Sequence, residues 1–100
     1  MPELSVIIPA WNEAAYLPDT LQTLQDSLCA CRLEADIIVV DNASTDATAT
    51  IAAGAGARVV HEPEHRIARV RNAGAEAAAS DWLLFVDADT RVTPAALQAM

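Results

Sequence analysis

The chain has 100 residues, six arginines, no lysine and fourteen Asp plus Glu, for a net charge of −8. That length holds one domain at most. The acidic balance argues against a nucleic-acid binder, which would turn a basic face to phosphates, but leaves room for one small anion held by a few arginines. Hydrophobic residues make up 53%, yet twenty-two of the hundred residues are alanine. The larger apolar side chains that remain suit a soluble globular domain and not a disordered segment. No apolar run reaches the roughly 18–20 residues of a membrane span. Met1-Pro2-Glu3 lacks the basic region of a secretory signal. The expectation is a cytoplasmic chain, or a cytosol-facing part of something larger, membrane-associated or not.

Leu4 to Ile8 is β-branched and apolar and stops at Pro9, which marks a first strand. Leu17, Leu21, Leu24 and Leu28 then recur at three- and four-residue steps, as one buried helix face does. Pro18 fits only in a first turn, so an irregular turn precedes a helix over about residues 18–30. Cys29 and Cys31 lack the spacing and the second pair of a metal site and read as buried or half-buried free thiols.

Asp36 to Val40 is a short continuous apolar run, the pattern of a strand covered on both faces. Ser44 or Thr45 would cap a helix over Ala47–Ala53 that Gly54 and Gly56 close. Ala57 to Val60 is a third strand. An alanine-rich helix follows from about Arg66 to Ala79, and Trp82 to Val86 reads as a fourth, buried strand. Thr93 and Pro94 open a last helix, as N-cap and first residue.

Strict alternation of strand and helix predicts an α/β fold, a parallel sheet with helices packed over it. The sheet has no evident close, so the chain reads as an apparently truncated, N-terminal part of a larger enzyme.

In open parallel sheets ligands lie beyond the carboxyl ends of the strands. The residues gathered there are Pro9, Asn12 and Glu13; Asp41 and Asn42; His61, Glu62, His65 and Arg66; and Asp87 and Asp89. Asp87 and Asp89 are two carboxylates that repel unless a cation sits between them. Their oxygens suit Mg²⁺ or Mn²⁺, which bind one or two carboxylates plus substrate phosphates. The alternative is a solvated acidic turn. Asp41 can accept a hydrogen bond from a ribose or a base N–H, or can cap the turn that follows it, a role that Asp46 or Ser44 could fill instead. Arg69 and Arg71 can pair with a diphosphate, or can balance an acidic surface. His61 and His65 are four apart, but Pro63 breaks the helix that would aim both at one metal.

Four segments carry a resemblance. Ser5-Val6-Ile7-Ile8-Pro9-Ala10-Trp11-Asn12-Glu13 resembles the S-V-I-I-P-x-Y-N-E opening of family 2 glycosyltransferases. Val39-Val40-Asp41-Asn42-Ala43-Ser44-Thr45-Asp46 resembles their V-V-D-D-G-S-T-D, Arg69 to Gly74 their A-R-N-x-G, and Phe85-Val86-Asp87-Ala88-Asp89 their F-L-D-A-D. The order and spacing match over nearly the whole chain. Asn42 stands where the family usually has a second Asp, and Ala43 where it has Gly, which bears on base preference and loop shape.

The resemblance implies a GT-A fold, an α/β three-layer sandwich on a mainly parallel sheet of strand order 3-2-1-4 with the switch between strands one and four, and residues 1–100 as its N-terminal nucleotide-sugar-binding part. It implies a UDP- or GDP-sugar donor, a divalent cation (Mg²⁺ or Mn²⁺) and an inverting, hexosyltransferase-class reaction. Carried over by position, Pro9 and Glu13 line the nucleotide pocket and Asp41 meets the base. Arg71 and Asn72 lie against the nucleotide, Asp87 approaches the ribose and Asp89 reaches the metal, with Asp87 beside it. Ala10, Asn12, Asn42, Arg66, Arg69 and Ala88, in or beside these motifs, complete the donor-binding set. The acceptor (saccharide, lipid or small molecule) and the catalytic base are assigned to no residue here. Two rivals stand beside this reading. A nicotinamide-dependent oxidoreductase would need a G-x-G-x-x-G turn after the first strand, where Pro9-Ala10-Trp11-Asn12-Glu13 stands. A non-catalytic nucleotide-binding module, or an inactive fragment, would bind donor without turnover.

Overall fold

In the computed structural model, which describes residues 2–99, strand and helix alternate from end to end. The elements are β1 (Leu4–Ala10), α1 (Leu17–Ala30), β2 (Ala35–Asp41), α2 (Thr48–Gly54), β3 (Arg58–His61), α3 (Ile67–Ala77), β4 (Leu83–Phe85) and α4 (Pro94–Gln98). The sheet is parallel throughout, in the order β3-β2-β1-β4, as the sequence predicts. None of the described helices is long and apolar enough to cross a membrane.

The central strands supply both apolar layers because successive side chains leave a strand on opposite faces. Val6 and Ile8 of β1 and Val39 of β2 join Leu17, Leu21, Leu24 and Leu28 of α1 in one core. Ile7, Ile38 and Val40 face the other way and pack with Val70 of α3. Helix α3 thus covers one face, while α1, with α2 and α4 against it, covers the other. Gly74 lets α3 come that close. A Cβ there would lie 2.3 Å from the Ile7 methyl Cγ2, so something would have to shift.

Local signals act as their chemistry requires. Pro18 sits in the first turn of α1, and both Tyr16 N–H and Leu17 N–H donate to the Glu13 carbonyl in the turn before it. Thr93 Oγ1 accepts from Ala96 N–H at 3.1 Å and caps α4. Gly54 ends α2 and Gly56 takes the left-handed conformation, φ +87°, that turns the chain into β3.

Three expectations need correction. The fourth strand is Leu83–Phe85 and not Trp82–Val86, and it is not buried: Trp82 is 75% exposed and Leu83 40%. Strand β4 pairs only with β1 among the described strands. Ser44 and Thr45 do not cap α2. The residue before that helix is Ala47, with no side-chain cap, and Asp46 Oδ1 accepts from Thr48 N–H instead. Ser44 and Thr45 are drawn away by Asn12. Cys29 is exposed and Cys31 half-buried, both as free thiols.

Candidate functional site

The turn after β1 is built by the loop after β2. Asn12 takes a left-handed backbone, φ +52°. Its Oδ1 accepts from Thr45 N–H at 2.8 Å, and its own N–H donates to Ser44 Oγ at 3.0 Å. Glu13 N–H donates to Thr48 Oγ1 at 3.0 Å, and Ala14 N–H to Asp46 Oδ2 at 3.2 Å. The polar run 44–48 therefore holds the segment that presents Glu13. Ala43 pays for that loop with φ +60°, a conformation that suits glycine better.

After β4 the chain turns at once, with Thr90 N–H donating to the Asp87 carbonyl at 3.0 Å. Ala88 is buried, and its carbonyl accepts from Thr20 Oγ1 of α1 at 2.6 Å. The two flanking carboxylates, Asp87 and Asp89, stay exposed. A small anchored residue between two outward acids is what this triplet achieves here. The Glu13 carboxyl is pushed above its ordinary value, first by burial and then by the negative charges of Asp89, Asp46 and Asp87. The charges of Asp89, Asp46 and Asp87 thus reach Glu13. Asp46 has its own support, and the Thr48 hydroxyl bonded to it holds its carboxyl below the usual range. Among the described residues, no group of three or more His, Cys, Asp and Glu is gathered as a complete metal-ligand set.

Beside these acids, at the switch between β1 and β4, lies a cleft of about 450 Å³. Pro9, Ala10, Asn42, Arg71 and Asp87 line it. The Arg71 guanidinium lies over the Phe85 ring, 4.2 Å from its centre, which fixes a cation at the cleft wall. Trp11 and His65 form the other wall, edge to face with ring centres 5.3 Å apart. Sequence reasoning left Trp11, Ile67 and Phe85 unassigned. The available signal was their place, directly beyond a strand, at a helix start and at a strand end, and for Trp11 and Ile67 an exposure of 53% and 78% that no pattern announces.

The remaining expected residues are placed differently. Asp41 is buried and does not line the cleft. Its Oδ1 accepts from Ser44 N–H at 3.2 Å, and its Oδ2 lies 3.2 Å from His61 Nδ1. Arg69 pairs with Glu64 at 2.6 Å, and it shares a separate surface hollow with Asn72 and Glu62. Arg66 is exposed at the extended residue before α3, outside the cleft lining.

A sequence profile described as Glycosyl transferase family 2 matches residues 5–100. The chain belongs to this family. An uncharacterised glycosyltransferase of Mycobacterium bovis is 38% identical over 86 residues, covering 86% of this chain and 36% of the relative. S. aureus TarS superimposes with a TM-score of 0.84 at 26% identity, over 97% of this chain and 30% of that one. A glucosyl-3-phosphoglycerate synthase from Mycobacterium tuberculosis, in complex with Mn²⁺, UDP and glucosyl-3-phosphoglycerate, gives 0.73 at 28% identity, over 93% of this chain and 36% of that one. The fold is that of the GT-A glycosyltransferases among these neighbours. The chain spans about a third of the length of these relatives.

Proposed function

We propose that residues 1–100 form the donor-binding part of a glycosyltransferase that uses a UDP- or GDP-sugar with a divalent cation. The observation that carries the reading is the pairing of two unlike walls at one switch point. One is a cleft with aromatic sides and a fixed guanidinium, from Trp11, His65, Arg71 and Phe85. The other is the carboxylate group of Glu13, Asp87 and Asp89. A flat base suits the first, and a cation with its diphosphate suits the second.

In this reading Pro9, Ala10 and Asn42 border the base, and Asp41 offers it a carboxylate oxygen once His61 yields. Arg71 faces the negative nucleotide, with charge-assisted bonds as its strongest contribution. Asp87 lies toward the ribose. Asp89, with Asp87 beside it, would hold Mg²⁺ or Mn²⁺. Their hard carboxylate oxygens would suit such a cation, and their charges together raise the Glu13 pKa. A bound cation supplies Lewis-acid stabilisation to the departing diphosphate. Arg66, Arg69 and Asn72 lie outside the cleft and contribute at most a peripheral positive charge. The transfer is inverting: an acceptor hydroxyl attacks the anomeric carbon opposite the diphosphate, and the sugar–phosphate bond breaks. The base that takes the acceptor proton is assigned to none of these residues. Two free thiols suit a reducing, cytoplasmic setting.

Calorimetric titration with UDP and GDP, each with and without Mn²⁺, tests this. Metal-dependent binding of one nucleotide is the expected result and names the base class. No binding of either to the folded chain would reduce the motifs to scaffold. Binding indifferent to Mn²⁺ would remove the cation from the reading.

A further inference from the structure

Asn42 is buried at the end of β2, and both hydrogens of its amide are committed. Nδ2 donates to the Glu62 carbonyl at 2.7 Å and to the Glu64 carbonyl at 2.9 Å. Its backbone N–H donates to the Ala10 carbonyl at 2.8 Å, beside the cleft. The loop it grips runs through His65, whose ring meets Trp11, into Ile67 at the start of α3. We propose that Asn42 is a positioning residue: its doubly donating amide holds the 62–66 loop so that His65 stays against Trp11 and the wall between β1 and α3 keeps one shape. The proposal rests on the donor-site reading only for its consequence, which is donor affinity.

The residue type is decided by hydrogen-bond inventory. Two carbonyl acceptors need two donors from one short side chain, and an amide nitrogen has two. An ionised carboxylate has none, so aspartate here would point negative oxygens at two carbonyls and release the loop. The charged groups around His65 are its chain neighbours Glu64, paired with Arg69, and Arg66, together with Arg71 and Asp87 lining the same cleft.

The test uses Trp82→Phe, which leaves Trp11 as the only tryptophan and alters no residue of the cleft lining. A protonated imidazole in contact with an indole quenches its emission. Acidification should therefore lower Trp11 emission. His65→Gln in the same background should abolish the fall and so assign it. Asn42→Asp is expected to lose at least half of the quench and, in the Mn²⁺ titration, to bind UDP about tenfold more weakly. Should Asn42→Asp fail to fold by circular dichroism, Asn42→Ala removes the donors without adding charge and gives the same readout. A quench that survives in the folded variant overturns the positioning role, whatever the nucleotide data. A quench that follows Asn42 in a chain binding no nucleotide keeps the wall and overturns the donor-site reading instead.

Discussion

Where the strands begin, Asp36 accepts from Arg58 Nε at 2.9 Å and Nη2 at 2.7 Å, from Ala79 N–H at 3.1 Å and from Ser5 Oγ at 3.4 Å. Ser5 Oγ in turn accepts from Ser80 N–H at 3.1 Å. Where the strands end, the charges of Asp89, Asp46 and Asp87 act on Glu13, and no arginine is bonded to any of the four among the described ion pairs. The same chemical group is used in opposite ways. At one end a saturated carboxylate ties three strands and the α3–β4 connection together, and its hydrogen bonds with Arg58 pull its pKa down. At the other, burial and neighbouring negative charge push the Glu13 pKa up. Charging Glu13 there costs stability, and in the proposed reading a bound cation would offset that cost.

The sharpest break of this contrast is Asp89→Ala. Metal-dependent UDP binding should weaken tenfold or more, about 1.4 kcal/mol, while the melting temperature stays level or rises. Unchanged Mn²⁺-dependent affinity in this variant would remove Asp89 from the cation site. Asp36→Ala should behave in the reverse way. It leaves Ser5 and Arg58 short of an acceptor, at a cost of about 2 kcal/mol, or roughly 8–16 °C in melting temperature for a domain of this size. Nucleotide affinity of the folded fraction should not change.

The same carboxylate gives the wild-type chain an acid limit. Because folding lowers the Asp36 pKa, its contribution is complete above the ordinary carboxylate range and drains away as the pH falls below about 4. A urea series from neutral pH downward should show this loss in the wild type and not in Asp36→Ala. The smallest effect is expected from Glu13→Gln. At neutral pH an acid whose folded pKa is raised is charged at a cost, and the amide relieves it. Melting should rise by about 1–3 °C while Mn²⁺-dependent UDP binding weakens. A lower melting temperature would mean that Glu13 is structural.

Much of this was written in one dimension. The leucines of α1 at helical spacing, the continuous run Asp36 to Val40 and the Thr93-Pro94 start of α4 lead to element type through periodicity and caps, which are local. Alternation of strand and helix then leaves few sheet orders to choose from, and 3-2-1-4 is the one adopted. The strand-end acids were legible because parallel topology sends every such residue to one edge. Ser44 and Thr45 were misread because two partners competed for them. Local propensity favours a cap on α2, whereas the turn at Asn12, distant in sequence, offers bonds at 3.0 and 2.8 Å.

The sequence alone settled the elements, their order, the family's motifs and the edge at which polar residues converge, because each depends on short-range pattern or topology. Only the tertiary structure decided which of those residues share a cleft. Arg71 points to Phe85 while Asn72, its neighbour in chain, lines a different hollow, because adjacent helical residues leave the axis about 100° apart. It also decided that Asp41 is turned to His61 and Ser44, that Asn42 grips two loop carbonyls, and that Leu83 of β4 is exposed. Those outcomes are competitions among distant partners for the same donors, acceptors and apolar surface, and no single segment of the chain contains both sides of them.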